Sequence, residues 1–209
     1  MAEALKVPLY HVVLLNLVYE FATSCTSIII GTPQGPLHGR TLDWPMLDLY
    51  PLTIDVDFVR EGKCAFTATT FPGFVGILTA TKPSCFSISV NFRSEDKEDN
   101  WGLIKAHLTS VVKEEDDGSG KDGVWWDCWP VSFLVRHVLE DNDATYKSAK
   151  ARLESCPLIR PVYFTLAGLC HDEGVVITRD PHKMVLPNWE LGQHGTIVQV
   201  GKEISVKGW

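Results

Sequence analysis

The spacing of apolar residues changes period along the chain, and each change predicts an element. Between Leu5 and Phe21, the residues Leu5, Leu9, Val12, Val13, Leu17 and Phe21 recur at helical spacing, with Asn16 and Glu20 among them. Pro8 suits an early helical position. The same stretch also reads as a signal peptide, with Lys6 ahead of an apolar core and Ala22-Thr23-Ser24 as a small-residue cleavage site. His11, Asn16 and Glu20 favour the helix. On either reading, a cut before Cys25 exposes an N-terminal cysteine.

A period of two takes over at Cys25. The β-branched run Cys25–Ile30, the turn Thr32-Pro33-Gln34-Gly35 and a second run to Trp44 predict a hairpin. Thr53–Phe58 alternates, with Ile54, Val56 and Phe58 on one face and Thr53, Asp55 and Asp57 on the other. Cys64–Thr70 and Phe74–Ala80 are strand candidates on either side of Pro72-Gly73. In Phe86–Arg93 the apolar face is Phe86, Ile88, Val90 and Phe92, opposite Ser87, Ser89, Asn91 and Arg93. A polar face of that kind meets solvent or lines a site. Helical spacing returns in Trp101–Val112, and the Gly- and acid-rich stretch Glu114–Gly123 is a loop. A second helix is expected from Val124 to Glu140, and a third starts at the capping candidates Asn142 or Asp143 and carries Tyr146, Ala149 and Leu153. Strands resume at Pro161–Leu169, Gly174–Arg179 and Thr196–Val200. Grouped strands flanking grouped helices predict an α+β layered fold.

Composition narrows the function classes. A chain of 209 residues, 45% hydrophobic and 22% charged, is long enough for one domain with a sizeable core. With 19 basic against 26 acidic residues, a net charge of −7 and no cluster of Lys and Arg, it offers nucleic acid no phosphate-binding face. The longest apolar stretch, Val12–Ala22, falls short of the ~20 residues that cross a bilayer. The six cysteines form no CxxC pair and no His completes a zinc pattern, so no metal is expected. Cys64, Cys85 and Cys170 sit in strand-like surroundings and read as small buried apolar side chains. Asp117–Gly123 lacks the context and the GK[ST] ending of a phosphate loop, and no cofactor is expected.

The chemistry gathers around Cys25. A hairpin returns Arg40 and Asp43 beside the start of its first strand, bringing a thiol, a guanidinium and a carboxylate together. A permanent cation stabilises a neighbouring thiolate, and a free α-amine is a suitable general base. An N-terminal cysteine therefore carries nucleophile and base in one residue. His38 reads as structural, because that amine already supplies a base. Trp125, Trp126 and Trp129 with Phe133 read as core packing, with an acyl-chain pocket or a membrane-surface contact as the alternative. Arg179, at a strand end, is a candidate for the substrate side of the site or for an ion pair.

The stretch CTS…HGR…LDWP resembles the start of the mature catalytic subunit in the N-acylethanolamine acid amidase and acid ceramidase family, N-terminal-nucleophile hydrolases related to the choloylglycine hydrolases. The likeness continues through PLTIDVDF, AFTATTFPGFVGILTATKP, SVNFR, VLEDNDATYKSAKARLESCPLIRPVYF and GVVITRD, from Leu9 to Asp180. The short spacer between Trp44 and Leu52 and the AFTATTF run look closer to the amidase. The resemblance implies an αββα sandwich, with residues 1–24 as a helical pro-segment like the end of the α-subunit and 25–209 as the β-subunit-like catalytic domain. It implies self-cleavage between Ser24 and Cys25, then hydrolysis of a lipid amide such as an N-acylethanolamine through an acyl-thioester. Arg40 and Asp43 match the family's active-site Arg and Asp, and Asn91 the position of an oxyanion-binding asparagine. The cleaved subunits are expected to stay associated, in a lysosomal setting.

The family pattern V-[EQ]-T-N-Y-D-x-W is met only by Val198-Gln199, where Val200-Gly201-Lys202 replaces Thr-Asn-Tyr. Gln199 and Lys202 are the candidates to stand in for the missing Asn. The chain is accordingly expected to be shortened at both ends relative to the family. Two alternatives stay open at this point, ceramidase-like hydrolysis of N-acylsphingosine and a non-catalytic relative.

Overall fold

The computed structural model describes residues 2–17, 24–43, 47–93, 128–185, 187–193, 195–201 and 203–207. Two helices open the chain, α1 (Ala2–Leu5) and α2 (Leu9–Leu17). Strands β1 (Ser24–Ile30) and β2 (Leu37–Asp43) form the expected antiparallel hairpin. After a 3-10 turn at Leu47–Leu52 come β3 (Ile54–Arg60), β4 (Lys63–Thr70), β5 (Thr79–Lys82) and β6 (Phe86–Phe92). Helices α3 (Val131–Glu140) and α4 (Tyr146–Ser155) precede β7 (Val162–Ala167), β8 (Gly174–Arg179), β9 (Trp189–Glu190), β10 (Thr196–Val200) and β11 (Glu203–Lys207).

The strands build two antiparallel sheets. The smaller has the order β11-β10-β1-β2 and the larger β3-β4-β5-β6-β7-β8-β9. One core lies between the larger sheet and α3 and α4, where Ile88, Val90, Phe164, Leu166, Val175 and Ile177 meet Leu134, Val138 and Leu153. The second lies between the sheets, where Ile29 and Ile197 meet Tyr163, Ala167 and Val176. Strands β7 and β8 are buried on both faces because each face has its own layer to cover it. Removing one such aliphatic or aromatic side chain from water stabilises the fold by ~1.5–3 kcal/mol. The arrangement is the expected α+β sandwich.

Several expectations need correction. Of the strand expected over Phe74–Ala80, only Thr79 and Ala80 are extended, at the start of β5. Phe71–Leu78 turns instead, with Gly73 at φ 90° and the Ile77 amide donating to the Ser132 carbonyl at 3.0 Å. Gly76 passes so close to α3 that a Cβ there would lie 2.2 Å from Ser132 Oγ. The second helix starts at Val131 rather than Val124, because Pro130 caps it and the preceding Trp129 is extended, bridging to Leu158. The third helix is capped by Thr145 through a reciprocal box with Ser148, and Asp141–Asp143 form the turn before it. Cys64 and Cys170 are exposed and Cys85 is half-buried, whereas Cys25 and Cys128 are buried. The helix expected over Trp101–Val112, the loop Glu114–Gly123, Trp125 and Trp126 lie outside the described residues. Among those described, no helix is long and apolar enough to cross a membrane.

Candidate active site

The hairpin register decides which side chains share a face. Cys25 pairs with Leu42 and Ser27 with Arg40, and His38 lies across from Ile29, so Cys25, Ser27, Arg40 and His38 all point from the smaller sheet toward the larger one. Cys25 is 3% exposed. Arg40 Nη2 donates to Cys25 Sγ at 3.3 Å and to the Val90 carbonyl at 2.8 Å, while Nη1 donates to Thr79 Oγ1 at 2.7 Å. The guanidinium is thus locked by the larger sheet with one edge against the thiol. Beside it opens a pocket of about 280 Å³, lined by Arg40, Leu42, Phe71, Phe74, Leu78 and Thr79 among others. That volume is small for a small-molecule site, and its walls mix the apolar Leu42, Phe71, Phe74 and Leu78 with the hydroxyls of Tyr50 and several threonines.

Beneath the thiol, polar groups fill the space between the sheets. Gln199 Nε2 donates to the Gly201 carbonyl at 2.6 Å, which leaves Oε1 to accept from Asn91 Nδ2. The Asn91 carboxamide is hydrogen-bonded to Ser27 Oγ at 3.0 Å. Ser27 Oγ lies 2.8 Å from Ser89 Oγ. Ser89 Oγ is 2.9 Å from His38 Nε2, and Ser87 Oγ is 2.9 Å from His38 Nδ1. One continuous chain of hydrogen bonds thus runs from Gly201 to His38. Burial, with the Arg40 charge nearby, lowers the His38 pKa from 6.5 to about 4. The chain closes on Cys25, because the Gly201 amide donates to the Cys25 carbonyl at 3.3 Å.

The other sequence-level candidates are placed as follows. The Asp43 carboxylate is exposed and accepts from Thr41 Oγ1 at 3.1 Å. Its backbone pairs with Ser24, so its side chain alternates away from the face that carries Cys25 and Arg40. The structure thus brings the guanidinium to the thiol but not the carboxylate. Asn91, 0% exposed, lies in the inter-sheet chain. Arg179 is on the other side of the larger sheet, in line with Val175 and Ile177. It donates to the carbonyls of Leu153, Cys156 and Lys183, tying the end of α4 to β8. It is not part of the group around Cys25, and neither the substrate-side role nor the ion pair expected from its strand end describes these contacts. Trp129 is half-buried and stacks on His137 at 4.8 Å, and Lys202 lies outside the described residues. Sequence reasoning missed Ser27 and Thr79, whereas Ser87, Ser89 and Asn91 lay on the polar stripe expected to meet solvent or line a site. Among the described residues, no group of three or more His, Cys, Asp or Glu is placed to hold a metal ion.

Comparison with known proteins places this geometry. A family model described as "Linear amide C-N hydrolases, choloylglycine hydrolase family" matches residues 25–189, beginning at the thiol. The acid ceramidase of Bos taurus is 37% identical over 210 residues, covering 93% of this chain and 49% of that protein. The Homo sapiens acid ceramidase is 36% identical over 205 residues, with 91% and 48% covered. The chain thus spans about half the length of the curated relatives it matches. Among solved structures, the Caenorhabditis elegans N-acylethanolamine-hydrolyzing acid amidase ortholog superposes with a TM-score of 0.69 at 31% identity, covering 85% of this chain and 70% of that one. With the family model starting on the cysteine that Arg40 holds, the chain belongs to the choloylglycine hydrolase family of linear amide C–N hydrolases, in the group that includes the acid ceramidases and N-acylethanolamine acid amidases.

Proposed function

We propose that this chain is a lipid amide hydrolase that releases a fatty acid from N-acylethanolamines through Cys25, exposed by self-cleavage after Ser24. The observation that carries the reading is the buried Cys25 thiol held against Arg40, a guanidinium that also lines a neighbouring pocket. In the first step Cys25 Sγ attacks the Ser24 carbonyl carbon and the Ser24–Cys25 amide bond breaks, leaving a thioester and a free α-amine at Cys25. Water then hydrolyses the thioester and releases the Ser24 carboxylate. In turnover the α-amine takes the thiol proton, the thiolate attacks the substrate amide and ethanolamine leaves with that proton. A second water hydrolyses the acyl-thioester to the fatty acid.

Each residue's proposed part follows from its place. Arg40 stabilises the thiolate with a fixed charge. Asp43 lies across from Ser24 in the hairpin, beside the bond that breaks, where its carboxylate can orient the new amine once the chain end is free. Asn91 is the proposed amide donor to a developing oxyanion; one such donor lowers a barrier by ~2.7–4 kcal/mol in other enzymes. Residues 1–24 act as the pro-segment and 25–209 as the catalytic part, which stay associated after cleavage. An acidic setting goes with the names of the relatives, and a lysosomal one is proposed with it.

The test is intact mass with N-terminal sequencing, before and after incubation at about pH 5, beside Cys25→Ala. The expected result is a thiol-dependent cut between Ser24 and Cys25, followed by hydrolysis of N-acylethanolamines faster than of ceramides. A folded chain that stays uncut overturns the reading in favour of a non-catalytic relative. The reverse substrate order assigns the chain to ceramide instead.

A further inference from the structure

Helix α2 buries the wrong residue for an amphipathic helix. Leu9, Tyr10, Val13 and Leu14 are exposed, while Asn16 is buried with 6% exposure. The Asn16 carboxamide explains the inversion. Its Nδ2 donates to the Gly73 carbonyl at 3.0 Å and, within the helix, to the Val12 carbonyl at 2.9 Å. Its Oδ1 accepts from the Val75 amide at 2.5 Å. The side chain therefore reads the backbone on both sides of Phe74, much as a neighbouring strand would. A buried amide with every polar atom engaged is costly to disturb, because removing one partner strands the others.

The segment it grips is the pocket wall. Phe71 and Phe74 line the cavity beside Arg40, and this stretch forms no strand pairing of its own. Val75 is held from the other side too, its carbonyl accepting from Arg136 Nη1 of α3 at 2.8 Å. The wall is thus fixed to the catalytic part by Arg136 and to the segment before Cys25 by Asn16.

We propose that Asn16 is a positioning residue for the pocket: it clips the segment preceding Cys25 onto the Gly73–Val75 backbone and so sets where Phe71 and Phe74 stand, making discrimination between acyl chains depend on that segment. The part about acyl chains rests on the lipid amide reading above; the clip itself does not.

The experiment uses the full chain and compares wild type with Asn16→Leu, Asn16→Ala and the control Leu14→Ala, an exposed change on the same helix. Hydrogen exchange is the first readout. In both Asn16 variants the amides of residues 73–78 should exchange about tenfold faster, with β7 and α3 unchanged, because only the local opening is eased. Leu14→Ala should match wild type. Activity is the second readout. The kcat/KM ratio between a long and a short N-acylethanolamine should fall severalfold in the Asn16 variants, with kcat on the short substrate retained. Unchanged exchange at 73–78, or loss of protection spread equally through β7 and α3, overturns the proposal. Faster exchange at 73–78 with the acyl-chain ratio preserved overturns the specificity role. If the chain hydrolyses no lipid amide, exchange at 73–78 still decides whether the clip exists.

Discussion

His38 gives the sharpest physical prediction, because its environment penalises only one of its two charge states. The ring sits between Ser87 and Ser89 with both nitrogens bonded, and burial with the Arg40 charge lowers its pKa from 6.5 to about 4. In the unfolded chain it titrates near 6.5. Between those values the unfolded state holds the proton and the native state does not, so stability rises with pH across this window. The contribution is complete above pH 6.5 and is lost as the pH falls toward 4. At ~1.36 kcal/mol per pKa unit, the full swing is about 3 kcal/mol. Urea unfolding of the Cys25→Ala protein, which cannot cut itself, measures it at a series of pH values from about 4 to 7.5. Carboxylates add a pH dependence of their own, so the informative quantity is the difference between this background and the same protein with His38→Gln, which cannot titrate. That difference should grow by about 3 kcal/mol from the acid to the neutral end, with its steepest part near pH 5. A difference curve that is flat across the window, or that slopes the other way, would refute the assignment of a buried neutral imidazole.

Two further substitutions probe the same site. Gln199→Leu removes the acceptor of Asn91 Nδ2 and the donor to Gly201, and should destabilise the chain by ~1–3 kcal/mol in urea unfolding while slowing the Ser24–Cys25 cut. Arg40→Lys keeps the charge but cannot reach Sγ, the Val90 carbonyl and Thr79 together, so the cut followed by mass should slow at least about tenfold with little loss of fold.

Legibility in the sequence followed range and parity. The bounds of β8 and β10 match the pattern, since short β-branched apolar runs bounded by charged or glycine residues are local signals. The Cys25–Arg40 contact was readable because a tight hairpin converts sequence distance into pairing. Parity along the same strand puts Asp43 on the face opposite Arg40, and parity with Val175 and Ile177 sends Arg179 toward the helices. What the pattern does not carry is contact between distant elements. Phe74–Leu78 has the composition of a strand but turns, meeting Ser132 of α3 at Gly76 and Ile77. Gln199 and Asn91 meet across two sheets, and Asn16 reaches Gly73 from another element altogether. The short β9 and the edge strand β11 were missed, as the pattern around them is too brief to stand out.

The position of β1 has a consequence for folding order. It is an interior strand, paired with β2 on one side and with β10 on the other, Thr26 against Val200. The first pairing is local and forms early. The second joins positions 26 and 200 and waits for the intervening chain, since closing so long a loop must precede the contacts that reward it. The Gly201 amide that braces the Cys25 carbonyl arrives only with that second pairing. A cysteine placed this way is assembled last, so a chain with β10 still unpaired holds Cys25 on a sheet edge, without that brace.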